Sequence, residues 1–314
     1  MPVIEAADRE EGAIVRALNS EMEGMTTDLK KDINYQLIND GTAVRCLVNG
    51  DPGTGTTLTV DTPGSMYLRD GMLISILNPS SGVARTSSTG LTITSVDSDT
   101  VATMSAALDS TVADNDWVIA YGGRAGAAAT LSDSYEMMGL KGIIDDATYC
   151  TTLHNLSRSS YAWWKCSTFA DDDNSGSNRD LTIPLMQSMS TAVEKNGGNT
   201  QAYLASLEVR DAYAAELVSD KRYVNTMKLD GGWTGIEYNG KPVIADSDML
   251  PNTLFAVDFD HLFLMEMADF DWMDKDGAVL SRVSGYDAYE AVLRLYAEFT
   301  TDRPRSFGFL RDVQ

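Results

Sequence analysis

The stretch EGAIVRALNSEMEGMTTDLKKDINYQLINDG, residues 11–41, decides how the chain is read. Ile14, Leu18, Met22, Met25, Leu29, Ile33 and Leu37 recur at steps of three or four, which sets them on one stripe of a helix. The spacing predicts one long helix over roughly residues 10 to 38. Arg16, Glu21, Glu23, Asp28, Lys30, Lys31 and Asp32 fill the intervening positions, so the opposite face is solvated or meets a neighbouring chain. Asn39-Asp40-Gly41 supplies the stop.

Beyond it the character changes. Met72-Leu73-Ile74-Ser75-Ile76, Gly90-Leu91-Thr92-Ile93-Thr94 and Trp117-Val118-Ile119-Ala120-Tyr121 are short runs rich in Val, Ile and Thr, separated by turn residues. From about Leu47 to Gly123 they predict an inserted small antiparallel β-barrel or sandwich; the alternative is that these strands join the main sheet. A second helix starts near Pro184, buries Leu185, Met189, Ala192 and Val193, and stops at Gly197-Gly198. A third crosses Leu207 to Val218, and strands resume around Gly235 to Ala245. Met265 to Met273 and Ala278 to Val283 read as a long β-hairpin about Asp274-Lys275-Asp276-Gly277. Strands at about Ala288 to Thr300 and Phe307 to Leu310 close a mixed α+β chain without internal repeats.

At 314 residues the chain is long enough for two or three lobes with their own cores. Its formal charge of -22 argues against a surface that grips phosphate backbones, because such affinity comes from Lys and Arg displacing counterions. Cys46, Cys150 and Cys166 are odd in number and widely spaced, which fits reduced thiols in a cytoplasm better than a disulfide framework. No apolar run is long enough to cross a bilayer, and the start MPVIEAADREEG lacks the basic and apolar regions of a signal peptide. The expectation is a chain neither spanning a membrane nor exported by that route.

No motif for chemistry emerges. Neither a phosphate-binding G-x-x-x-x-G-K-[ST] loop nor a G-x-G-x-x-G fingerprint is present, and Gly53-Thr54-Gly55 reads as a turn before strand-like sequence. Only His154 and His261 offer imidazoles, and no G-x-S-x-G elbow accompanies them. Cys150, His154 and Cys166 lack zinc spacing and a fourth ligand. Asp171, Asp173, Ser175 and Gly176 copy four positions of a calcium loop, but the twelfth position is Thr182 instead of a bidentate glutamate. Tyr161, Trp163 and Trp164 read as anchors of a core or an interface rather than a ligand platform. No spacing isolates an acid and base pair of carboxylates, so no catalytic, cofactor-binding or metal residue is nominated, and no cofactor is expected.

The succession of elements resembles the major capsid proteins of tailed bacteriophages, which share the HK97-like fold. Asp32-Ile33-Asn34-Tyr35-Gln36-Leu37-Ile38-Asn39-Asp40-Gly41-Thr42 looks like the end of that family's spine helix. Ser160-Tyr161-Ala162-Trp163-Trp164-Lys165-Cys166 is similar to its tryptophan segment. Tyr238-Asn239-Gly240-Lys241-Pro242-Val243-Ile244-Ala245-Asp246 resembles its "hydrophobic, Asn-Gly, Pro-Val, Asp" strand. The likeness continues through Pro251, Val257-Asp258 and the ending Arg305-Ser306-Phe307-Gly308-Phe309-Leu310-Arg311-Asp312-Val313.

The resemblance implies a P domain with the spine helix in 1–46, an inserted β-domain in 47–123, and a P-domain or connecting segment in 124–181. An A domain of sheet and flanking helices follows in 182–260, and the P-domain hairpin with closing strands in 261–314. It implies a non-enzymatic virion protein, assembled in the host bacterial cytoplasm, whose partners are copies of itself in pentamers and hexamers. A scaffolding protein or domain, a portal protein and decoration proteins are the further partners implied, around DNA enclosed without sequence-specific binding. The family's N-terminal arm and E-loop normally precede the spine helix, and with only about ten residues before it the expectation is that they are missing here: the chain starts inside a longer protein, an N-terminal portion has been removed, or these contacts are made differently. Two other readings stand beside this one. An encapsulin-type compartment shell has the same fold, though the β-insertion and tryptophan segment favour the phage version; a carbohydrate-binding or carbohydrate-processing protein would instead use the β-domain, aromatics and acids as its site.

Overall fold

The stripe from Ile14 to Leu37 folds as expected into α1 (Glu11–Ile38), 28 residues long, in a computed structural model that describes residues 11–61, 63–85, 90–124, 134–169, 178–219, 226–228, 234–274, 279–285 and 289–313. The helix stops at Asn39-Asp40-Gly41. Gly41 takes φ +69°, a conformation that costs a side-chain-bearing residue, and Asp40 accepts the backbone N–H and hydroxyl of Thr42.

Six short strands follow: β1 (Val44–Leu47), β2 (Thr57–Thr59), β3 (Leu73–Leu77), β4 (Leu91–Ser98), β5 (Val101–Met104) and β6 (Trp117–Ala120). They form one antiparallel sheet in the order β1-β6-β3-β4-β5-β2. Its two outer strands then meet beyond their ends. Val48 bridges Val60, the Asn49 N–H donates to Thr59 O at 3.0 Å, and the Asp61 N–H donates to Leu47 O at 2.9 Å. The sheet is therefore a closed barrel, which removes the unpaired edges that a sandwich would leave. Register shifts in the β4–β5 and β1–β6 pairs let strands this short turn its corners. Val48, Leu58, Val60, Ile74, Ile76, Ile93, Ala102 and Val118 fill the interior and are fully buried. The first and last strands pair directly, so the chain leaves the barrel beside the point where it entered.

The next segment contains α2 (Leu140–Ile143), the hairpin β7 (Thr152–Leu153) and β8 (Leu156–Ser157), and β9 (Ser167–Phe169). α3 (Ile183–Lys195) begins with Pro184 in its first turn and is capped by Thr182, whose side chain accepts the Leu185 N–H. β10 (Ala202–Ala205), α4 (Leu207–Ser219), β11 (Thr226–Lys228), β12 (Thr234–Tyr238), β13 (Lys241–Ala245) and β14 (Leu254–Val257) complete the middle of the chain. The two-residue Asn239-Gly240 turn joins β12 to β13 as an antiparallel hairpin, so the "Asn-Gly, Pro-Val" motif spans two strands instead of one.

These strands belong to a seven-stranded sheet, β11-β12-β13-β10-β14-β19-β9, whose β19 is Gly308–Leu310. Two of its members, β9 and β19, lie outside residues 182–260, and they pair with each other in parallel. Alternation along β14 explains how both faces are covered. Leu254 and Ala256 face a core with Met186, Met189 and Val193 of α3 and Val209 and Tyr213 of α4. Phe255 and Val257 face the other core, with Ile38 of α1 and Leu140 and Ile143 of α2. Phe255 and Phe309 stack there at 4.4 Å between centroids.

The chain divides into two compact units, Met1–Tyr35 with Leu264–Glu298, and Gln36–Phe263 with Phe299–Gln314. The first carries most of β15 (Leu262–Trp272) and β18 (Leu293–Thr301), which form a two-stranded ribbon. This corrects one expectation. Met265–Met273 does not pair with the segment ending at Val283; its partner is Leu293–Thr301, while β16 (Ser281–Arg282) and β17 (Tyr289–Glu290) make a small hairpin of their own. The reason is length: an 11-residue strand needs a comparable partner, and the run ending at Val283 gives way to a turn with Gly285 at φ +85°. Residues 275–277 of the expected Asp274–Gly277 turn lie outside the described residues.

Candidate functional site

The residues singled out for chemistry serve local structural contacts. Gly53-Thr54-Gly55 is a turn into β2, with the Gly53 N–H donating to the Asp51 carboxylate at 2.9 Å. His154 Nε2 lies 2.8 Å from the Thr300 hydroxyl, and His261 Nδ1 lies 2.8 Å from Asp302 Oδ1. Cys150 donates to Thr152 O at 3.2 Å, and Cys166 sits 3.2 Å from the Thr168 hydroxyl. Among the described residues no group of three or more His, Cys, Asp or Glu could hold a metal, and no helix is long and apolar enough to cross a membrane. Asp171, Asp173, Ser175 and Gly176 lie outside the described residues, and Thr182, the twelfth position of that pattern, caps α3. Burial pushes the thiols of Cys46 and Cys166 up to about 12 and raises that of Cys150, which leaves all three protonated and unreactive near neutrality.

The tryptophan segment divides its labour. Trp164 is buried and its indole N–H donates to Leu153 O at 3.0 Å, whereas Tyr161 and Trp163 stand exposed, their rings 5.8 Å apart. Behind Trp164 lies a charge pair that periodicity and motif spacing do not reveal. Arg158 and Asp145 are fully buried and 3.4 Å apart. The Arg158 guanidinium also donates to the carbonyls of Gly142, Ile143, Cys150 and Trp164, and Asp145 accepts the backbone N–H groups of Ala147, Tyr149 and Cys150. These bonds satisfy the guanidinium and converge on Asp145 Oδ2, which makes the buried ion pair tolerable, while Asp145 Oδ1 is buried without a hydrogen-bond partner. It pins α2, the β7–β8 hairpin and the tryptophan segment together.

The surface that stands out lies in the other unit. Along β15 the odd-numbered residues, Phe263, Met265, Met267, Asp269 and Asp271, are all exposed. Even-numbered Ala268, Phe270 and Trp272 are half-buried, and Trp272 lines a depression with Met22, Glu23, Thr26 and Thr27 of α1. On β18 the alternation is complementary: Leu293, Leu295 and Ala297 are half-buried, while Tyr296 and Glu298 are exposed. Met265, Met267, Tyr296 and Glu298 line one shallow depression. Among the described residues the ribbon thus has one face that turns toward α1 at its Trp272 end and another that is largely exposed, with Met267 92%, Met265 62% and Tyr296 52% exposed. α1 is similarly bare: Met22 and Leu29 of the apolar stripe are half-buried and Met25 is 45% exposed. Full burial of one such side chain is worth about 1.5–3 kcal/mol, so this surface holds unspent association energy.

No protein-family model matches the chain, and no curated protein matches it. Among solved structures it is similar to the capsid asymmetric unit of cyanophage A-1(L), with a TM-score of 0.45 and 18% identity over 57% of this chain and 61% of that one. It is also similar to the holo-SrpI encapsulin complex of Synechococcus elongatus PCC 7942, with a TM-score of 0.37 and 15% identity over 55% of this chain and 59% of that one. A structure of Gordonia phage Cozz matches with a TM-score of 0.33 and 15% identity over 55% of each chain. The chain thus spans about three fifths of the length of the solved structures it matches.

Proposed function

We propose that the chain is a structural shell subunit, the major capsid protein of a tailed bacteriophage with the HK97-like fold, and that it performs no catalysis. The observation that carries this reading is the uncovered apolar surface of one unit: a two-stranded ribbon with a bare outer face and a long helix whose stripe is only partly covered. An isolated two-stranded ribbon is marginal in water, and a sheet face bearing Met265, Met267 and Tyr296 wants a partner. Shells supply one by symmetry, because many modest contacts between identical copies sum to a closed particle. The spine-helix, tryptophan and Asn-Gly motifs support the same reading independently.

In this reading the barrel is an insertion that leaves the main fold undisturbed, and the adjacency of β1 and β6 supports that. Copies assemble as pentamers and hexamers in the host cytoplasm, with a scaffolding protein or domain, a portal and decoration proteins as further partners. The charge of -22 suits a wall around packaged DNA that does not hold it tightly. The test is size-exclusion chromatography and electron microscopy of the chain, alone and co-expressed with a scaffolding protein. Closed icosahedral particles are the expected result. Particles loaded with one enzyme would replace this reading with an encapsulin-type shell, and a persistent monomer would overturn both.

A further inference from the structure

We propose that the crevice between the β-barrel and the seven-stranded sheet binds a linear aliphatic polyamine, whose methylene chain lies along Met66 and Met249 and whose ammonium groups meet the carboxylates of Asp99, Glu208 and Asp246. This goes beyond the shell reading and does not depend on it.

The crevice has a volume of about 310 Å³ and lies wholly within the larger unit. Its barrel side is made by Pro63 and Met66, which precede β3, and by Asp99 in the turn between β4 and β5. Its other side is made by Glu208 in the first turn of α4 and by Asp246, Met249 and Pro251 between β13 and β14. Hydrogen bonds hold both sides in place. The Ser65 N–H donates to Asp99 O and the Ser65 hydroxyl to Ser98 O, each at 2.7 Å. On the other side the Asp248 N–H donates to Asp246 Oδ1 at 2.8 Å. The buried Tyr67 hydroxyl then ties one side to the other by donating to Asp248 O at 2.8 Å. The slot is therefore formed before a ligand arrives, which spares the cost of ordering it on binding.

Its lining selects the ligand. The two methionines and two prolines offer an apolar wall, methionine being the side chain that adapts best to a flexible alkyl chain. The three carboxylates are exposed, none forms an ion pair among the described residues, and no Lys or Arg lines the crevice, so anions are repelled. A metal ion suits it poorly, because among the described residues no group of three or more His, Cys, Asp or Glu could hold one: these carboxylates do not converge on a point. A quaternary ammonium would want aromatic faces, and no aromatic ring lines the crevice. A chain of methylenes punctuated by ammonium groups matches both the wall and the spread of negative charge, and its amines are protonated near neutrality. The formal charge of -22 raises the concentration of such cations around the chain. Once bound, the polyamine joins Asp99 of the barrel to Glu208 and Asp246 beside the sheet, turning repulsion between like charges into attraction to a shared cation.

The test uses the full chain with spermidine as the probe. Titration calorimetry should show a single site per chain, and amide hydrogen exchange in residues 63–66 and 246–251 should slow when spermidine is added, but not when magnesium is added at equal ionic strength. Asp99→Asn and Glu208→Gln alter side chains that make no hydrogen bond among the described residues. Each should weaken spermidine binding at least about threefold, and the pair about tenfold, while the melting temperature without spermidine stays unchanged. Asp271→Asn, a carboxylate of the other unit, should leave the affinity as it is. The exchange measurement needs no variant and so decides the matter even where a substitution impairs folding. Exchange in the two segments that is unaffected by spermidine, or slowed as much by magnesium, overturns the proposal. So does a trilysine peptide that binds there more tightly than spermidine, since the crevice would then take a protein segment; in each of these cases the shell reading stands.

Discussion

The two compact units of this chain bury their apolar residues in opposite ways. The larger is closed upon itself: its barrel interior is fully buried, both faces of β14 in its seven-stranded sheet are covered, and buried Arg158 is paired with Asp145. Among the described residues the smaller leaves a sheet face and part of a helix stripe exposed. A unit of the first kind carries its stability within one copy, whereas one of the second kind gains its last contacts from another molecule. Substitutions in the larger unit should therefore be read in the isolated subunit, and those in the smaller in its assembly.

The largest effect expected is at Arg158. Arg158→Met removes the counter-charge of fully buried Asp145 and strips donors from four carbonyls, which should destabilise the isolated subunit by about 3–5 kcal/mol in urea unfolding. Adding Asp145→Leu should recover part of that loss, because it removes the stranded charge. A loss below about 1 kcal/mol would mean that the pair does not hold α2 and the tryptophan segment together.

Next in size is Gly139→Ala. A Cβ there would meet the carbonyl oxygens of Gln36 and Asn39, backbone atoms at the end of α1 that cannot rotate away. The helix end must then shift from its seat, at a cost of about 1–3 kcal/mol seen as a lower urea midpoint. An unchanged midpoint would show that this seat is softer than the closed character of the larger unit implies.

Asp40, at the same helix end, ties the larger unit to pH. Burial raises the pKa of its carboxyl, but the Lys141 ammonium at 2.9 Å and the Thr42 hydroxyl and N–H more than offset this, so the net shift is below the ordinary value of 3.8. A depressed folded pKa means stability that is present above the unfolded value and lost as pH falls through the folded one. The urea midpoint should therefore gain nothing from this group between pH 7 and about pH 5, and should fall below about pH 4. Asp40→Asn should lower the plateau and flatten the acid limb. An acid limb of the same steepness in the variant would assign that pH dependence to other carboxylates.

Much of this architecture was legible because it is local. α1 declared itself through a 3.6-residue period and a terminal glycine, α3 through Pro184, and the barrel strands through β-branched runs punctuated by turns. What stayed hidden is non-local. Nothing in the sequence around Ser167 or Gly308 announces that β9 and β19 pair in parallel at one edge of a sheet built mostly from residues between them. Barrel closure rests on Val48 meeting Val60, a tertiary bridge that strand counting does not supply. The ribbon's pairing is also non-local: β15 passes over the nearest strand-like run, which ends at Val283, and pairs with the later and longer Leu293–Thr301. Arg158 and Asp145 looked like any other surface charges; only their shared burial distinguishes them. The bare ribbon face was half legible, since Phe263, Met265 and Met267 alternate with Leu264 and Glu266, but alternation alone does not say which side α1 covers.

The smallest expected effect on the subunit tests the comparison most directly. Met25 is 45% exposed on α1, one helical turn from Glu21, Asp28 and Leu29, so replacing it removes little that the single chain has buried. Met25→Ser should change subunit stability by no more than about 0.5 kcal/mol, the range of an ordinary surface substitution. If the stripe of α1 is completed by another copy, the same change should nevertheless lower the yield of particles and their midpoint in a dissociation titration. Unchanged assembly would confine the intermolecular contact to the ribbon and leave α1 as a solvated strut. A loss of more than about 1 kcal/mol in the isolated subunit would be the more damaging outcome, because it would mean that Met25 already contributes to a core within one chain and that the smaller unit is not waiting for a neighbour.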